Sequence, residues 1–219
     1  MTTEPTRDVA SWRREYEDRG LSAEDLGPDP LAAFVSWLVA ARTAGLHEPN
    51  AMVVSSSDAS GAPSSRMVLL KTVDARGFVF YTNLESRKGA EILARPVCAL
   101  LFPWHPLERQ VRVEGVASLV DDIEADAYFA SRPRGSQIGA WASPQSQVVP
   151  GRDDLQQRYA RELDRFESVD VVPRPARWSG FLVRPHRIEF WQGRPGRMHD
   201  RIQFDRADDA TWVVERLGP

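Results

Sequence analysis

Cysteine is almost absent from this sequence, since Cys98 is the only one in 219 residues. A lone cysteine cannot form an internal disulfide, and it leaves no cysteine pair to hold zinc or an iron–sulfur cluster. No metal site is expected, and any redox chemistry needs a borrowed cofactor. The histidines are scattered without metal-ligand spacing, at His47, His105, His186 and His199.

Long apolar runs are missing too. Residues 31–41 form the longest near-apolar stretch, which Ser36 interrupts and which is too short to cross a bilayer. Residues 1–10 carry acids and a proline where a signal peptide needs a basic and then an apolar run. These features predict a soluble, cytoplasmic protein that does not contact a membrane.

Basic charge is not in excess, because the formal net charge is −3 at pH 7. A broad nucleic-acid surface is therefore disfavoured, and any anion site must be local. Only two of the 28 basic residues are lysines, Lys71 and Lys88. This bias is either chance or a sign that lysine is kept where a compact point charge is needed.

Four common signatures are absent: GxGxxG, GxxxxGK followed by Ser or Thr, GxSxG and HExxH. Their absence makes a Rossmann dehydrogenase, a P-loop enzyme, a GxSxG hydrolase and a zinc protease unlikely assignments.

The chain is predicted to comprise an N-terminal arm or helix, residues 1–24, and a single domain, residues 25–219. Residues 7–19 are polar and arginine-rich, with Trp12 and Tyr16 spaced to share one helix face. This segment is expected to be a short helix or arm that lies on another surface.

Short β-rich runs separated by turn residues dominate from residue 51 onward. Helices interrupt them without regular alternation, which favours a small antiparallel barrel with helical decoration over a doubly wound sheet. The predicted fold class is mainly β with α (α+β). The predicted strands are residues 51–55, 65–73, 78–82, 97–102, 110–120, 180–183, 187–191, 201–204 and 212–217. The predicted helices are residues 30–45, 86–93, 121–132, a short one after Ser136, and 153–166.

Cations and hydroxyls lie at predicted strand ends and helix starts. Arg66 and Lys71 occupy one predicted strand at an odd separation, so they face opposite sides and can serve two neighbouring anions. Arg87 and Lys88 follow Ser86 at a helix N-terminus, where free amides and the helix dipole favour a phosphate.

A second candidate anion pocket lies further along the chain. Tyr128 and Arg132 share one helix face, and Ser136 follows four residues later. Taken singly, each arginine of such a chain is more often a solvated surface charge, so only the clusters point to function.

Seven groups of short runs follow one another between Arg66 and Arg201, within a match that extends from about Arg13 to the C-terminal residues. They are Arg66-Met-Val-Leu-Leu-Lys71, Phe80-Tyr-Thr-Asn83, Ser86-Arg-Lys88, Leu101-Phe-Pro-Trp104 with Glu108-Arg-Gln110, Ser131-Arg-Pro-Arg134 with Ser136-Gln-Ile-Gly-Ala-Trp141, Glu189-Phe-Trp-Gln-Gly193 and Arg197-Met-His-Asp-Arg201. Together they closely resemble the pyridoxamine 5′-phosphate oxidase family, FMN enzymes of vitamin B6 metabolism.

The resemblance implies an antiparallel FMN-binding split β-barrel with peripheral helices. It also implies a homodimer with two FMN molecules at the subunit interface. The implied reaction oxidises pyridoxamine 5′-phosphate and pyridoxine 5′-phosphate to pyridoxal 5′-phosphate, with O₂ as the electron acceptor. Hydrogen peroxide is released, together with ammonia from the amine.

The same resemblance implies roles for individual residues. Arg197 and His199 are the implied catalytic pair, which orients the pyridine ring. The implied flavin contacts, drawn from both subunits, are Arg66, Val68, Leu69, Lys71, Tyr81, Thr82, Arg87, Lys88, Gln110, Gln145, Ser146, Trp191 and Arg201. The implied substrate contacts are Arg13 and Tyr16, from an arm that closes over the site, with Lys71, Tyr128, Arg132, Ser136, Arg197 and His199.

Three alternatives remain open from the sequence. The chain could be another flavin or deazaflavin enzyme of the split-barrel superfamily, a non-catalytic carrier of FMN or pyridoxal phosphate, or a structural dimer without ligand. The complete substrate-side motif, including Arg197 and His199, favours the oxidase. The loop Arg194-Pro195-Gly196 and the short N-terminal arm depart from the family pattern, which leaves kinetics and vitamer preference open but not the reaction class.

Overall fold

The computed structural model describes residues 15–208 and 211–219. Trp12 and Arg13 lie outside these residues. In the described part of the expected short helix or arm, residues 15–20 have no regular secondary structure. Glu17 donates its main-chain N–H to the Glu108 carboxylate, at 2.9 Å, instead of to a helical carbonyl. The division of the chain at residue 24 stays a prediction.

Four of the six described helices begin where a short polar side chain accepts an unpaired main-chain N–H. Ser22, Asp29, Ser86 and Asp121 each accept such a bond within the first turn that follows. No helix in the described ranges is long and apolar enough to span a bilayer. The cytoplasmic location stays a prediction. The helices are α1 (Ala23–Leu26), α2 (Pro30–Thr43), α3 (Arg87–Ala94), α4 (Asp122–Ser131), α5 (Arg134–Ala142) and α6 (Arg152–Arg165).

Nine strands within the described residues form one antiparallel sheet, in the order β2-β1-β5-β6-β7-β4-β3, with β8 on β7 and β9 on β8. With the helices at its periphery, the curled sheet has the expected split-barrel architecture. The strands are β1 (Ala51–Ser57), β2 (Pro63–Leu69), β3 (Thr72–Asp74), β4 (Gly77–Asn83), β5 (Val97–Trp104), β6 (Arg109–Leu119), β7 (Trp178–Gln192), β8 (Asp200–Arg206) and β9 (Trp212–Leu217).

The single strand expected at residues 65–73 is wrong, because the chain crosses here between two parts of the sheet. β2 ends at Leu69 and pairs with β1, whereas β3 pairs with β4. Between them, Leu70 donates its N–H to Asn50 and Lys71 donates its N–H to Val79, both at 2.9 Å. Lys71 is therefore not on the strand of Arg66, and the opposite-face argument does not apply.

The two strands expected at residues 180–183 and 187–191 are one continuous strand, β7. A bulge makes this possible: Gly115 pairs with Pro185 while Glu114 pairs with Arg187, so one residue of β7 has no partner on β6. Proline is tolerated at such an irregularity because the ladder is already interrupted there. Gly115 is required opposite it, since a Cβ would lie 2.5 Å from a main-chain carbonyl oxygen.

The main core lies between α2 and the inner face of the sheet. Phe34 of α2 contacts Phe78 and Phe102, with ring centroids 4.9 and 4.7 Å apart. Trp37, one turn later, packs edge-on against Phe190 of β7. These aromatic rings fill the space between α2 and the sheet, which leaves the strand ends and the outer face to carry polar groups.

Candidate active site

A cleft of about 590 Å³ opens between the sheet and the helices α4 and α5. Lys71, Lys88 and Arg132 line it, and no carboxylate is among its described lining residues. This charge balance suits a local anion site on an acidic chain. The full lining is Met67, Val68, Leu69, Lys71, Tyr81, Thr82, Asn83, Lys88, Tyr128, Arg132, Pro133, Ser136, Gly139, Ala140, Ser143, Gln145 and Trp178.

Lys88 is held in this cleft by neutral oxygen atoms. Its Nζ donates to Thr82 Oγ1 at 3.0 Å, to Gln145 Oε1 at 3.1 Å and to Ser86 Oγ at 3.2 Å. Burial, and then the charge of Arg66, lower the pKa of Lys88 to about 8. A buried ammonium that pairs with no described carboxylate is stabilised by a bound anion.

Arg132 is the second cation of the cleft, and its side chain is half-buried. It caps the C-terminus of α4, and its guanidinium lies over the Trp178 ring, 4.7 Å from the centroid. Burial lowers the pKa of Arg132. Within the described residues, its Nη1 is the buried side-chain nitrogen or oxygen that lacks a hydrogen-bond partner. A phosphate or carboxylate is the ligand that such a group needs.

Stacked aromatic rings form one wall of the cleft. Tyr81 of β4 stacks on Tyr128 of α4, with centroids 4.0 Å apart, and on Trp178 at 5.3 Å. Burial, and then the charge of Glu124, raise the pKa of Tyr81 to about 12. The Tyr81 hydroxyl therefore stays protonated at neutral pH, and the wall presents flat apolar surface to a ring-shaped ligand.

Arg66 and Arg87 do not line the cleft but meet on a buried carboxylate. Arg66 Nη2 lies 3.2 Å from Glu91 Oε2, and Arg87 Nε lies 2.8 Å from Glu91 Oε1. Ser56 and Ser64 each donate a hydroxyl to Oε2 at 2.5 Å. Burial opposes ionisation of this carboxyl, but the four donors outweigh it and lower the pKa of Glu91 to about 2.

A second group of predicted site residues surrounds the end of β7. The rings of Trp191 and His199 have centroids 4.7 Å apart, and Tyr16 meets both edge-on, at 5.9 and 5.6 Å. His199 Nδ1 accepts the main-chain N–H of Arg194 at 3.1 Å. Because Nδ1 is an acceptor, the neutral imidazole carries its proton on Nε2 and can donate from there.

Arg201 and Gln110 lie beside this aromatic group. Arg201 makes a two-pronged ion pair with buried Glu189, at 2.9 and 3.1 Å, and this pairing raises the pKa of Arg201. Glu189 also accepts from Arg112 at 3.1 Å. Gln110 pairs in register with Trp191 across β6 and β7.

Two predicted site residues have left-handed backbone conformations. Arg197 has φ 62° and Ser146 has φ 70°. Residues other than glycine rarely adopt this backbone region. Both residues are exposed. Backbone strain of this kind is found most often at ligand-binding positions, where surrounding contacts maintain it.

The predicted site residues thus fall into two groups at opposite ends of β7. Tyr81, in the cleft, pairs with Gly180, whereas Gln110 pairs with Trp191. Eleven residues separate the two β7 positions, which is roughly 35 Å along a strand. None of Trp191, Arg197, His199 and Arg201 is a lining residue of the cleft.

Family models match most of the chain. Residues 38–165 match the family described as pyridoxamine 5′-phosphate oxidase. The chain belongs to this family. Residues 178–219 match the pyridoxine 5′-phosphate oxidase C-terminal dimerisation region. The family expected from the seven groups of runs is therefore confirmed.

Individual relatives agree with this assignment. The chain is 54% identical over 212 residues to a pyridoxine/pyridoxamine 5′-phosphate oxidase of Nocardioides sp. strain JS614, covering 97% of this chain and 98% of that protein. Among solved structures, PhzG of Burkholderia lata 383 in complex with tetrahydrophenazine-1-carboxylic acid superposes with TM-score 0.85 at 28% identity, covering 92% of this chain and 99% of PhzG.

A more distant structure supports the fold alone. A pyridoxamine 5′-phosphate oxidase-related, FMN-binding protein of Nostoc punctiforme matches with TM-score 0.69 at 14% identity, covering 87% of this chain and 98% of that one. The split β-barrel expected from the sequence of this oxidase-family member is confirmed.

Sequence reasoning missed several residues of the site. Trp178 forms the wall of the cleft, Glu91 gathers two arginines, and Arg194 contacts His199. For Trp178, its position just after the proline-containing segment 172–176 was an available signal. For Glu91, the i,i+4 spacing from Arg87 on α3 was a local signal, whereas its pairing with Arg66 depends on the packing of separate elements. Arg194 and His199 lie five residues apart, but no local pattern indicates that the loop brings them together. No group of three or more potential metal ligands occurs among the described residues.

Proposed function

We propose that this oxidase-family member oxidises pyridoxamine 5′-phosphate and pyridoxine 5′-phosphate to pyridoxal 5′-phosphate with bound FMN and O₂. The observation that carries the proposal is a pair of cations in one cleft, the buried Lys88 and the half-buried Arg132. Lys88 binds only neutral oxygens among the described residues, and Arg132 has a buried nitrogen without a described partner. Two phosphates, one on the cofactor and one on the substrate, match these two cations.

The residues present fit FMN. A flat ring system suits the stacked aromatic wall, and a phosphate suits the buried ammonium of Lys88 near the start of α3. When bound, FMN supplies a ring that accepts a hydride and passes two electrons to O₂, giving hydrogen peroxide. We assign its contacts in the cleft to Val68, Leu69, Lys71, Tyr81, Thr82, Lys88 and Gln145, with Arg66, Arg87 and Ser146 nearby.

The substrate phosphate is assigned to the other cation of the cleft. Arg132 supplies its partnerless N–H, and Tyr128, Ser136 and Lys71 line the same space. These groups hold the substrate without changing its chemistry, so their contribution is proximity and orientation.

The aromatic group at the end of β7 is assigned to the pyridine ring. His199 can donate its Nε2 proton to the 3-hydroxyl oxygen, because Nδ1 is already occupied. Arg197 lies two residues away on an exposed, strained loop and is assigned to the face near the reacting carbon. Tyr16 covers both rings from the side of the N-terminal segment.

A homodimer accounts for the separation of the two groups. The cleft of one copy and the Trp191, Arg197, His199 and Arg201 group of the other would together form one site, so that each dimer carries two. The match of residues 178–219 to a dimerisation region supports this arrangement, because that segment contains the second group. Gln110 is assigned to the same half of the site.

The deciding experiment is aerobic turnover of pyridoxamine 5′-phosphate by the FMN-loaded protein, following pyridoxal 5′-phosphate and hydrogen peroxide together. Equal amounts of aldehyde and peroxide are expected, and Arg197→Ala is expected to lower turnover strongly. Bound flavin without aldehyde from either vitamer would contradict the proposal and favour another split-barrel activity or a carrier.

A further inference from the structure

The N-terminal segment lies directly on the aromatic group at the end of β7. We call residues 16–21 the strap. Tyr16 contacts the rings of Trp191 and His199, and a Cβ on Gly193 would lie 3.0 Å from the Tyr16 ring. Gly193, directly after β7, therefore leaves room for the Tyr16 ring that a residue with a Cβ would crowd.

Hydrogen bonds fix both ends of the strap. Glu17 donates its main-chain N–H to Glu108 Oε2 at 2.9 Å, and Leu21 donates its N–H to Asp200 Oδ2 at 3.0 Å. Arg216 Nη2 donates to the Leu21 carbonyl at 2.8 Å. The anchors come from three separate places in the chain, so the position of the strap depends on the folded domain.

Arg194 connects the middle of the strap to the loop before His199. Its guanidinium lies 2.6 Å from Asp18 Oδ1 and 3.2 Å from Asp200 Oδ2. Its main-chain N–H donates to His199 Nδ1 at 3.1 Å. One residue thus contacts the strap, the strap anchor and the imidazole.

We propose that Arg194 is a positioning residue, which fastens the strap over Trp191 and His199 and keeps the proton of neutral His199 on Nε2; this rests on the proposed function. The side chain and the main chain perform separate tasks. The Arg194 guanidinium binds the Asp18 carboxylate. The main-chain N–H of residue 194 donates to His199 Nδ1, and this bond does not depend on the side chain at that position. The two tasks can therefore be tested separately.

The side-chain task is tested in the full-length, FMN-loaded protein with Arg194→Ala, Asp18→Asn and the double variant. The measurements are the rate of tryptic cleavage between Arg19 and Gly20, and kcat and KM for pyridoxamine 5′-phosphate. Each single variant is expected to accelerate cleavage and raise KM by roughly two- to fivefold, the size of a partly exposed ion pair, with kcat little changed.

The double variant is expected to match Arg194→Ala, because both changes break the same pair. Arg206→Ala, which removes an exposed arginine at the far end of β8, serves as the matched control and is expected to behave as the parent protein. Unchanged cleavage and KM in both single variants, or additive effects in the double variant, would overturn the role of the guanidinium.

The main-chain task is tested by ¹⁵N NMR of labelled histidine, with His199→Asn to assign the signal. A protonated Nε2 and an unprotonated Nδ1 are expected for neutral His199 in the parent and in Arg194→Ala. The opposite tautomer in the parent would overturn this part. If no form shows turnover, the proposed function fails, and cleavage and NMR still decide the role of Arg194.

Discussion

Arg66 and Glu91 form an ion pair in which the carboxylate is almost fully buried, with 5% of the Glu91 side chain and 20% of the Arg66 side chain exposed. Arg66 is an assigned flavin contact, and Arg87, another, binds the second oxygen of the same carboxylate. Glu91 therefore orients two arginines in the same region as Lys88. The Glu91 carboxylate accepts hydrogen bonds from four side chains and so ties together the elements that carry them.

Glu91→Gln is expected to destabilise the protein in a pH-dependent way. The pKa of Glu91 is lowered from 4.5 to about 2, so its ionised form contributes on the order of 3 kcal/mol above pH 4.5. This contribution is lost as the pH falls from 4.5 towards 2.

Chemical denaturation at pH 7 and at pH 3 measures the free energy of unfolding, and the difference between parent and Glu91→Gln should shrink at pH 3. Glu167→Gln, at an exposed position, is the control, and a difference independent of pH would contradict the prediction.

Lys88→Met is expected to weaken FMN binding by roughly 10- to 100-fold, because a charge-assisted hydrogen bond to the phosphate is lost. Since the pKa of Lys88 is about 8, the parent protein should also bind FMN less tightly as the pH rises above 8. Quenching of FMN fluorescence measures both effects. Arg161→Met, on the exposed side of α6, should bind as the parent does. A variant that keeps parental affinity at pH 7 would remove Lys88 from the phosphate site.

Arg132→Gln is expected to raise KM for pyridoxamine 5′-phosphate by roughly 10- to 150-fold, the cost of one charged hydrogen bond, with a smaller effect on kcat. Steady-state kinetics with the phosphorylated amine provides the measurement. Unphosphorylated pyridoxamine is the matched control, because it lacks the group that Arg132 would bind. Equal losses with both compounds would mean that Arg132 acts on the fold of the cleft rather than on the phosphate.

Mixed dimers test whether each site draws on two chains. Lys88→Met damages the cleft, and Arg197→Ala damages the group at the other end of β7. A dimer of one chain of each kind has one intact site. Random mixing of the two impaired proteins, at an FMN concentration that saturates the parent but not Lys88→Met, should therefore restore about one quarter of parental activity. Mixing Lys88→Met with Arg132→Gln should restore nothing, because both lesions lie in the cleft. No recovery in the first mixture would show that one chain holds the whole site.

Local patterns predicted most of the elements in this chain. Asp29 and Ser86 are capping residues whose bonds lie within one turn, so the starts of α2 and α3 could be inferred directly. The strand predicted at residues 110–120 likewise corresponds to β6. The strand at residues 65–73 was wrong, because the break at Leu70 and Lys71 depends on bonds to Asn50 and Val79 in other elements.

The candidate site shows the same division. The sequence by itself determined which residues are present in the family's motifs, and with them the family and the split barrel, because those patterns are short and occur in order. Only the tertiary structure decided that Lys88 and Arg132 share one cleft, that Glu91 collects Arg66 and Arg87, and that Arg194 contacts Asp18 and His199. Lys88 and Arg132, Arg66 and Glu91, and Asp18 and Arg194 are far apart in the chain, so their proximity depends on the packing of the whole sheet, which no local pattern encodes. Arg87 and His199 are close in sequence to their partners, but their orientation depends on the same packing.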